Sequence, residues 1–209
     1  MINVIPQIFG ANLAITPKNV FEIGSRDADD AIAIARMINV PNSAVSIFEP
    51  HPDLYRQIVF TKSDINAYQL GCSNKNGVLP FYSCIIGKEQ NYGMSSLIPR
   101  KEYEDTIKYK KIEVKTVRMD DWMTENAVDE IDVLKLDVEG HTWEVLDGFG
   151  ERISQVKAIH LEAERKQIWD GQKLFSDTIQ KLLPTHAMVF CYDMGGQSDS
   201  IWIEKKCLK

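Results

Sequence analysis

The sequence is short of cysteine. Four thiols, Cys72, Cys84, Cys191 and Cys207, are spread through 209 residues, and no two form a Cys-x-x-Cys pair or a zinc-ligand spacing. That excludes a disulfide-stapled secreted scaffold, which is smaller and denser in Cys, and predicts reduced thiols in a cytoplasmic protein. Long hydrophobic runs are absent as well; none nears the ~18 residues that suggest a membrane span. The opening stretch, MINVIPQIFGANLAITPK, lacks a basic n-region and a continuous apolar h-region, so no signal peptide is expected. Positive charge is in deficit, with 24 Lys and Arg against 30 Asp and Glu and a formal net charge of −6. A large nucleic-acid footprint is therefore not expected. Repeats and low-complexity tracts are missing too. What is present, 44% hydrophobic and 26% charged, is the composition of a globular domain. The length suits one domain spanning 1–209.

Short apolar runs alternate with helical patterns. Strands are predicted at Asn19–Gly24, Ala44–Glu49, Ile65–Leu70, Val78–Tyr82, Ile112–Val117, Ile131–Asp137, Val156–Glu162, Ala187–Tyr192 and Ser200–Glu204. Helices are predicted at Asp27–Asn39, Pro52–Phe60, from Asp120, at His141–Leu146 and at Phe175–Leu183. This alternation implies an α/β, Rossmann-like, mostly parallel sheet with helices on both faces. The last two strands are joined too tightly for a parallel crossover and must pair antiparallel at an edge. Residues 83–111 are polar, carry Gly87, Gly93 and Pro99, and read as an inserted loop of the length used for lids and binding loops.

Ligands of such sheets sit at the carboxyl ends of the strands. The first strand ends Glu22-Ile23-Gly24-Ser25-Arg26-Asp27-Ala28. Of the GxGxxG dinucleotide fingerprint only the first Gly is there, which argues against NAD. A pyrophosphate would also face Glu22, Asp27, Asp29 and Asp30, with only Arg26 in compensation. An ammonium or sulfonium suits this turn better, and S-adenosylmethionine carries both. Asp29 and Asp30 also read simply as helix-capping acids. Glu49 closes the second strand, placed to take two ribose hydroxyls, with Pro50 and His51 beside it as walls for an adenine. Lys135, in an otherwise apolar strand, needs an acidic partner, and Glu22 is the candidate.

The segments VFEIGSRDA, VSIFEPHP, LGCSNKNGVLPFY, SSL, VRMDDW, IDVLKLDVEGHTWEVLDG and IHLEAE resemble, in order and spacing, the FkbM-type methyltransferases. These are class I enzymes that use S-adenosylmethionine and release S-adenosylhomocysteine. The resemblance runs from about Val20 to Glu164 and is most specific over Leu134–Gly148. It implies a seven-stranded class I sheet. It also implies that Glu22, Gly24, Ser25 and Arg26 hold the methionine end of the cofactor. By the same likeness Glu49 holds the ribose, Gly71, Cys72 and Ser73 flank the adenine, and Asp137 lies below the reactive methyl. The family usually has Asn at the position of Arg26, Gly at that of Ala28, and often an acid at that of Thr142.

Methyl transfer expels a neutral thioether, so only the acceptor needs help: a hydroxyl must lose its proton to a base or to a metal. Asp137, Glu139, His141 and Glu162 are the candidates, with His160 in reserve; Asp137, His141 and Glu162 are the preferred catalytic set. Asp137 and Glu162 can share a divalent cation, but no third acidic ligand is evident, so metal-independent chemistry is favoured. Ser95 and Ser96 are expected near the acceptor, and Tyr92, Tyr103, Tyr109 and Trp169 either stack on a sugar or pack the insert. The resemblance implies a hydroxyl acceptor on a sugar of a glycan or glycolipid. A macrolide or other small metabolite is the alternative, and a non-catalytic adenosyl-binding module is the other reading. With little chain beyond the fold, an oligomer or a larger multidomain polypeptide is a further expectation.

Overall fold

The computed structural model describes residues 2–86, 89–90, 92–100 and 107–209. A helix without a sequence counterpart above, α1 (Ile5–Asn12), comes first. Then follow β1 (Val20–Ile23), α2 (Asp29–Met37), β2 (Val45–Phe48), α3 (Pro52–Thr61), β3 (Asn66–Tyr68), β4 (Gly71–Cys72), β5 (Gly77–Ile86), β6 (Glu89–Gln90) and β7 (Ile107–Val117). The second half holds α4 (Met119–Glu125), β8 (Ile131–Leu136), α5 (Thr142–Gly148), β9 (Val156–Glu164), α6 (Phe175–Leu182), β10 (His186–Asp193) and β11 (Gln197–Glu204).

Seven strands form the main sheet in the order β10-β11-β9-β8-β1-β2-β3. The pairs β9-β8, β8-β1, β1-β2 and β2-β3 are parallel, and β11 runs antiparallel to both its neighbours. The antiparallel strand therefore lies one place in from the edge, which β10 occupies. Apolarity explains the exchange: Ile201, Trp202 and Ile203 of β11 are fully buried, whereas Met188 and Tyr192 of β10 are exposed. Strand alternation sends Phe21, Ile23, Phe48, Leu134 and Leu136 to one face, under Trp122, Val145, Leu146 and Phe175. It sends Val20, Val45, Ile47 and Val133 to the other, under Ala31, Ile34, Ala35 and Ile58. No helix among the described residues is long and apolar enough to cross a membrane.

Among the described residues, the segment expected to be a loop carries strand at both ends: β5 runs on to Ile86 and β7 begins at Ile107. β5 and β7 form one antiparallel ladder from Gly77↔Thr116 to Ile86↔Ile107, the centre of a second sheet in the order β4-β7-β5-β6. Lys108, Lys110, Lys111, Glu113 and Lys115 are exposed, while Phe81, Cys84, Ile107 and Val114 are buried. Lys108, Lys110 and Lys111 dominate the composition of the first half of β7 and mask it, leaving only Ile112–Val117 legible. Tyr103, one of the expected stacking residues, lies outside the described residues.

Candidate active site

The main sheet opens at the carboxyl ends of β1, β2 and β8 into a cleft of about 820 Å³, counted to its solvent mouth. The β1–β8 register sets Glu22 directly opposite Lys135, so both side chains leave the sheet on one face. Lys135 Nζ lies 3.4 Å from Glu22 Oε1, 3.2 Å from Asp137 Oδ2 and 3.0 Å from Asp30 Oδ2. Burial alone would depress the lysine pKa, but the three carboxylates outweigh it and raise it, so the ammonium stays charged. Glu22 is also buried, which pushes its carboxyl up to about 7 against the pull of Lys135 and of the Ser25 hydroxyl, which donates at 2.6 Å. Asp30 thus joins the cleft, while Asp29 pairs with Lys62 at the surface.

Gly24 (φ +81°) turns the chain out of β1. Its N–H donates to the Phe48 carbonyl at 3.1 Å. Arg26 and Ala28 follow with φ of 50° and 65°. These are the positions where the resemblance leads to an expectation of Asn and Gly, the residues that tolerate left-handed backbone. The Arg26 side chain bends away to Asp27, with Nε to Oδ2 at 3.0 Å, and is 62% exposed. Arg26→Asn removes one exposed ion pair and relieves part of a backbone cost of roughly 1–2 kcal/mol. It is expected to raise the melting temperature by about 1–3 °C in scanning calorimetry; a fall would show that the Asp27 pair matters more.

Glu49 is 4% exposed. Its Oε2 accepts the Arg26 N–H at 2.8 Å and its Oε1 the His51 N–H at 2.7 Å. Burial outweighs these two bonds and holds the carboxyl up at about 7. Both oxygens keep lone pairs free, two acceptors suited to a vicinal diol. Pro50, Gly71 and Cys72 line the same cleft; Ser73 does not. The Ser73 hydroxyl sits 3.0 Å from His141 Nε2 instead. His51 is likewise structural. Its Nδ1 accepts the Asp53 N–H at 3.2 Å and so caps α3, leaving Nε2–H to donate to Ser83 Oγ at 3.1 Å.

Beyond the carboxyl end of β8 the residues expected to form the catalytic set are only partly brought together. Asp137 lines the cleft. His141 does not: it is buried behind Ser73, and burial drives its pKa down to about 4, too weak a base for this task. Glu139, the fourth of the candidates, is on the cleft instead. One carboxylate oxygen each from Asp137, Glu139 and Glu162 all lie within 4.8 Å of one another. This supplies the third acidic ligand that the sequence lacked in plain view, and the trio offers an oxygen donor set for a hard divalent cation. Burial, then the charges of Asp137, Glu162 and Glu164, raises the Glu139 pKa well above its ordinary value. Burial, then Asp137 and Asp199, brings Glu162 to about 7. Phe81 of β5 and Tyr92, Ser95 and Leu97 of the insert also line the cleft, while Trp169 is buried beneath Gly140.

The sequence profile of the Methyltransferase FkbM domain matches residues 22–191. The chain belongs to the FkbM methyltransferase family. It is a methyltransferase whose cofactor is S-adenosylmethionine, and the acid-lined turn after β1 with the two-acceptor Glu49 fits that cation. A curated relative, the 2-O-methyltransferase NoeI of Sinorhizobium fredii (strain NBRC 101917 / NGR234), is 26% identical over 189 residues, covering 86% of this chain and 76% of the relative. The methyltransferase FkbM structure from Methylobacillus flagellatus KT superposes with a TM-score of 0.55 at 12% identity, over 90% of this chain and 44% of the other. This FkbM chain therefore spans less than half the length of that one. The ribosomal protein L11 methylase of Lactobacillus delbrueckii subsp. bulgaricus gives a TM-score of 0.52 at 10% identity, over 98% of this chain and 77% of its own. These two likenesses concern the fold alone.

Proposed function

We propose that this FkbM methyltransferase O-methylates a hydroxyl of a sugar in a glycan or glycolipid, with Glu139 as proton acceptor. The observation that carries the reading is the placement of Glu139 beside Asp137 on a cleft that Phe81 and Tyr92 also line. The 2-O-methyltransferase relative supports an oxygen acceptor. In the step, the acceptor oxygen attacks the methyl carbon and the carbon–sulfur bond breaks with its electron pair going to sulfur. The hydroxyl proton passes to the Glu139 carboxylate. A sulfonium arriving among these acids lowers their pKa values, so cofactor binding itself readies the base. Aromatic side chains of the insert suit the apolar face of a sugar ring. The crowd of carboxylates disfavours an anionic acceptor. Four free cysteines, three of them buried, fit a reducing, cytoplasmic setting.

The test is methyl transfer from labelled S-adenosylmethionine to a panel of neutral and anionic p-nitrophenyl glycosides and to macrolide alcohols. Neutral glycosides should be turned over, and Glu139→Gln should lower kcat by about 10²–10⁴ with cofactor affinity kept. Turnover of the macrolide alcohols alone would move the acceptor class to small metabolites, and cofactor binding without turnover would favour a binding module. The 4.8 Å carboxylate trio favours a second reading, in which a divalent cation acidifies the hydroxyl. Activity abolished by EDTA and restored by Mg²⁺ selects that reading.

A further inference from the structure

Glu139 does not hold its own position. Its backbone takes φ +48° and is followed by Gly140 at +82°, a left-handed pair of which the first member carries a long charged side chain. Such a conformation persists only where the surroundings enforce it. Gly140 is pressed against Trp169, with no room for a Cβ. The Glu139 carbonyl accepts a 2.6 Å hydrogen bond from the hydroxyl of Ser96. Ser96 belongs to the insert, 43 residues away in the chain.

The Ser96 hydroxyl is fully directed. It donates to Glu139 and accepts the Ile98 N–H at 3.1 Å. Its own backbone is locked to β5 by a reciprocal pair with Tyr82, at 2.8 and 3.2 Å, and the residue is 1% exposed. Its neighbours Ser95 and Leu97 face the cleft. The same strap is tied again a few residues on, where Asp170 N–H donates to the Pro99 carbonyl at 2.8 Å. One hydroxyl thus joins the insert's share of the cleft lining to the backbone of the acid beside Asp137.

We infer that Ser96 is a positioning residue, whose hydroxyl fixes Glu139 in its left-handed turn and sets the spacing between that acid and the insert's share of the cleft lining. The inference rests on the proposed role of Glu139. Ser96→Ala is expected to lower kcat 10- to 100-fold on the p-nitrophenyl glycoside turned over best, with the Kd for S-adenosylmethionine unchanged, and Ser96→Thr to restore most of the rate. In a Glu139→Gln background Ser96→Ala should cost nothing more, because the acid it orients is gone. Equal losses in both backgrounds would make the effect merely structural and overturn the inference alone. A silent Glu139→Gln would overturn the proposed base and the inference together. Amide hydrogen exchange across residues 138–141 gives an arm independent of any acceptor: it should quicken in Ser96→Ala and not in Ser96→Thr, and unchanged exchange in Ser96→Ala would overturn the inference.

Discussion

Gly24→Ala is expected to abolish S-adenosylmethionine binding, with no calorimetric signal where the wild type saturates. The added Cβ would fall on the Asp137 carbonyl oxygen and lie 2.8 Å from the carbonyl carbon and 3.0 Å from Val138 Cγ1. The backbone cannot yield on either side. The Gly24 N–H is tied to Phe48 at 3.1 Å, and the Asp137 N–H is tied to the carbonyl of Ile23 at 3.1 Å. A φ of +81° adds a further cost of roughly 1–2 kcal/mol for any L side chain. The turn after β1 and the loop after β8 must then separate, and those two segments carry Ser25, Arg26, Asp137 and Glu139 of the cleft lining. Gly10 in α1 has nothing within 4 Å of a new Cβ, so Gly10→Ala is the matched control and should bind normally. Normal binding by Gly24→Ala would show that the cleft is not where the cofactor sits.

The second large effect concerns Glu49. With its carboxyl at about 7, roughly half is protonated at neutral pH before any ligand arrives. Donors from a ribose diol and a nearby cationic cofactor favour the ionised form, so binding at pH 7 should expel a fraction of a proton. The calorimetric enthalpy should then differ between phosphate and Tris by an amount set by that fraction. The sign carries over to stability. A carboxyl whose folded pKa exceeds its unfolded value stabilises the fold below about 4.5 and loses that contribution as pH rises through about 7. The unliganded protein should therefore weaken between those values, and the cofactor should raise the melting temperature more at pH 8 than at pH 6. Glu49→Gln should weaken binding about 10- to 150-fold and reduce the buffer dependence. Its amide has one acceptor oxygen for the two N–H groups of Arg26 and His51 that now meet one oxygen each. An unaltered Kd in Glu49→Gln would remove the residue from the cofactor site.

The residues that spoke plainly in the sequence were those whose place is fixed by strand position. Glu22, Gly24, Ser25, Arg26, Glu49, Pro50, Gly71 and Cys72 lie at or just beyond the carboxyl ends of β1, β2 and β3, and all of them line the cleft. Even the Glu22–Lys135 pair was legible, because an acid and a lysine in apolar parallel strands have few partners. His141 misled because its pKa in water suits a base, and the sequence cannot show that Ser73 draws the ring out of the cleft. Glu139 stood in the same loop, yet only the left-handed turn aims it at Asp137. Strands at Val78–Tyr82 and Ile112–Val117 were legible, but their extension to Ile86 and back to Ile107, and their pairing, were not. The outward lysines there outweigh the few inward apolar residues, and pairing across twenty and more residues leaves no local trace.

The place of β11 has a consequence for biosynthesis. β9 needs β11 on its flank, with Glu162 opposite Asp199 and His160 opposite Ile201. Yet β11 is translated after β10, and about forty residues separate the end of β9 at Glu164 from the end of β11 at Glu204. At ~5–20 residues per second the nascent chain holds an open, apolar β9 edge for several seconds. During that interval the amino-terminal half, with Gly24 and Glu49 already made, can fold against β8, while the edge beside Glu162 waits for the ribosome.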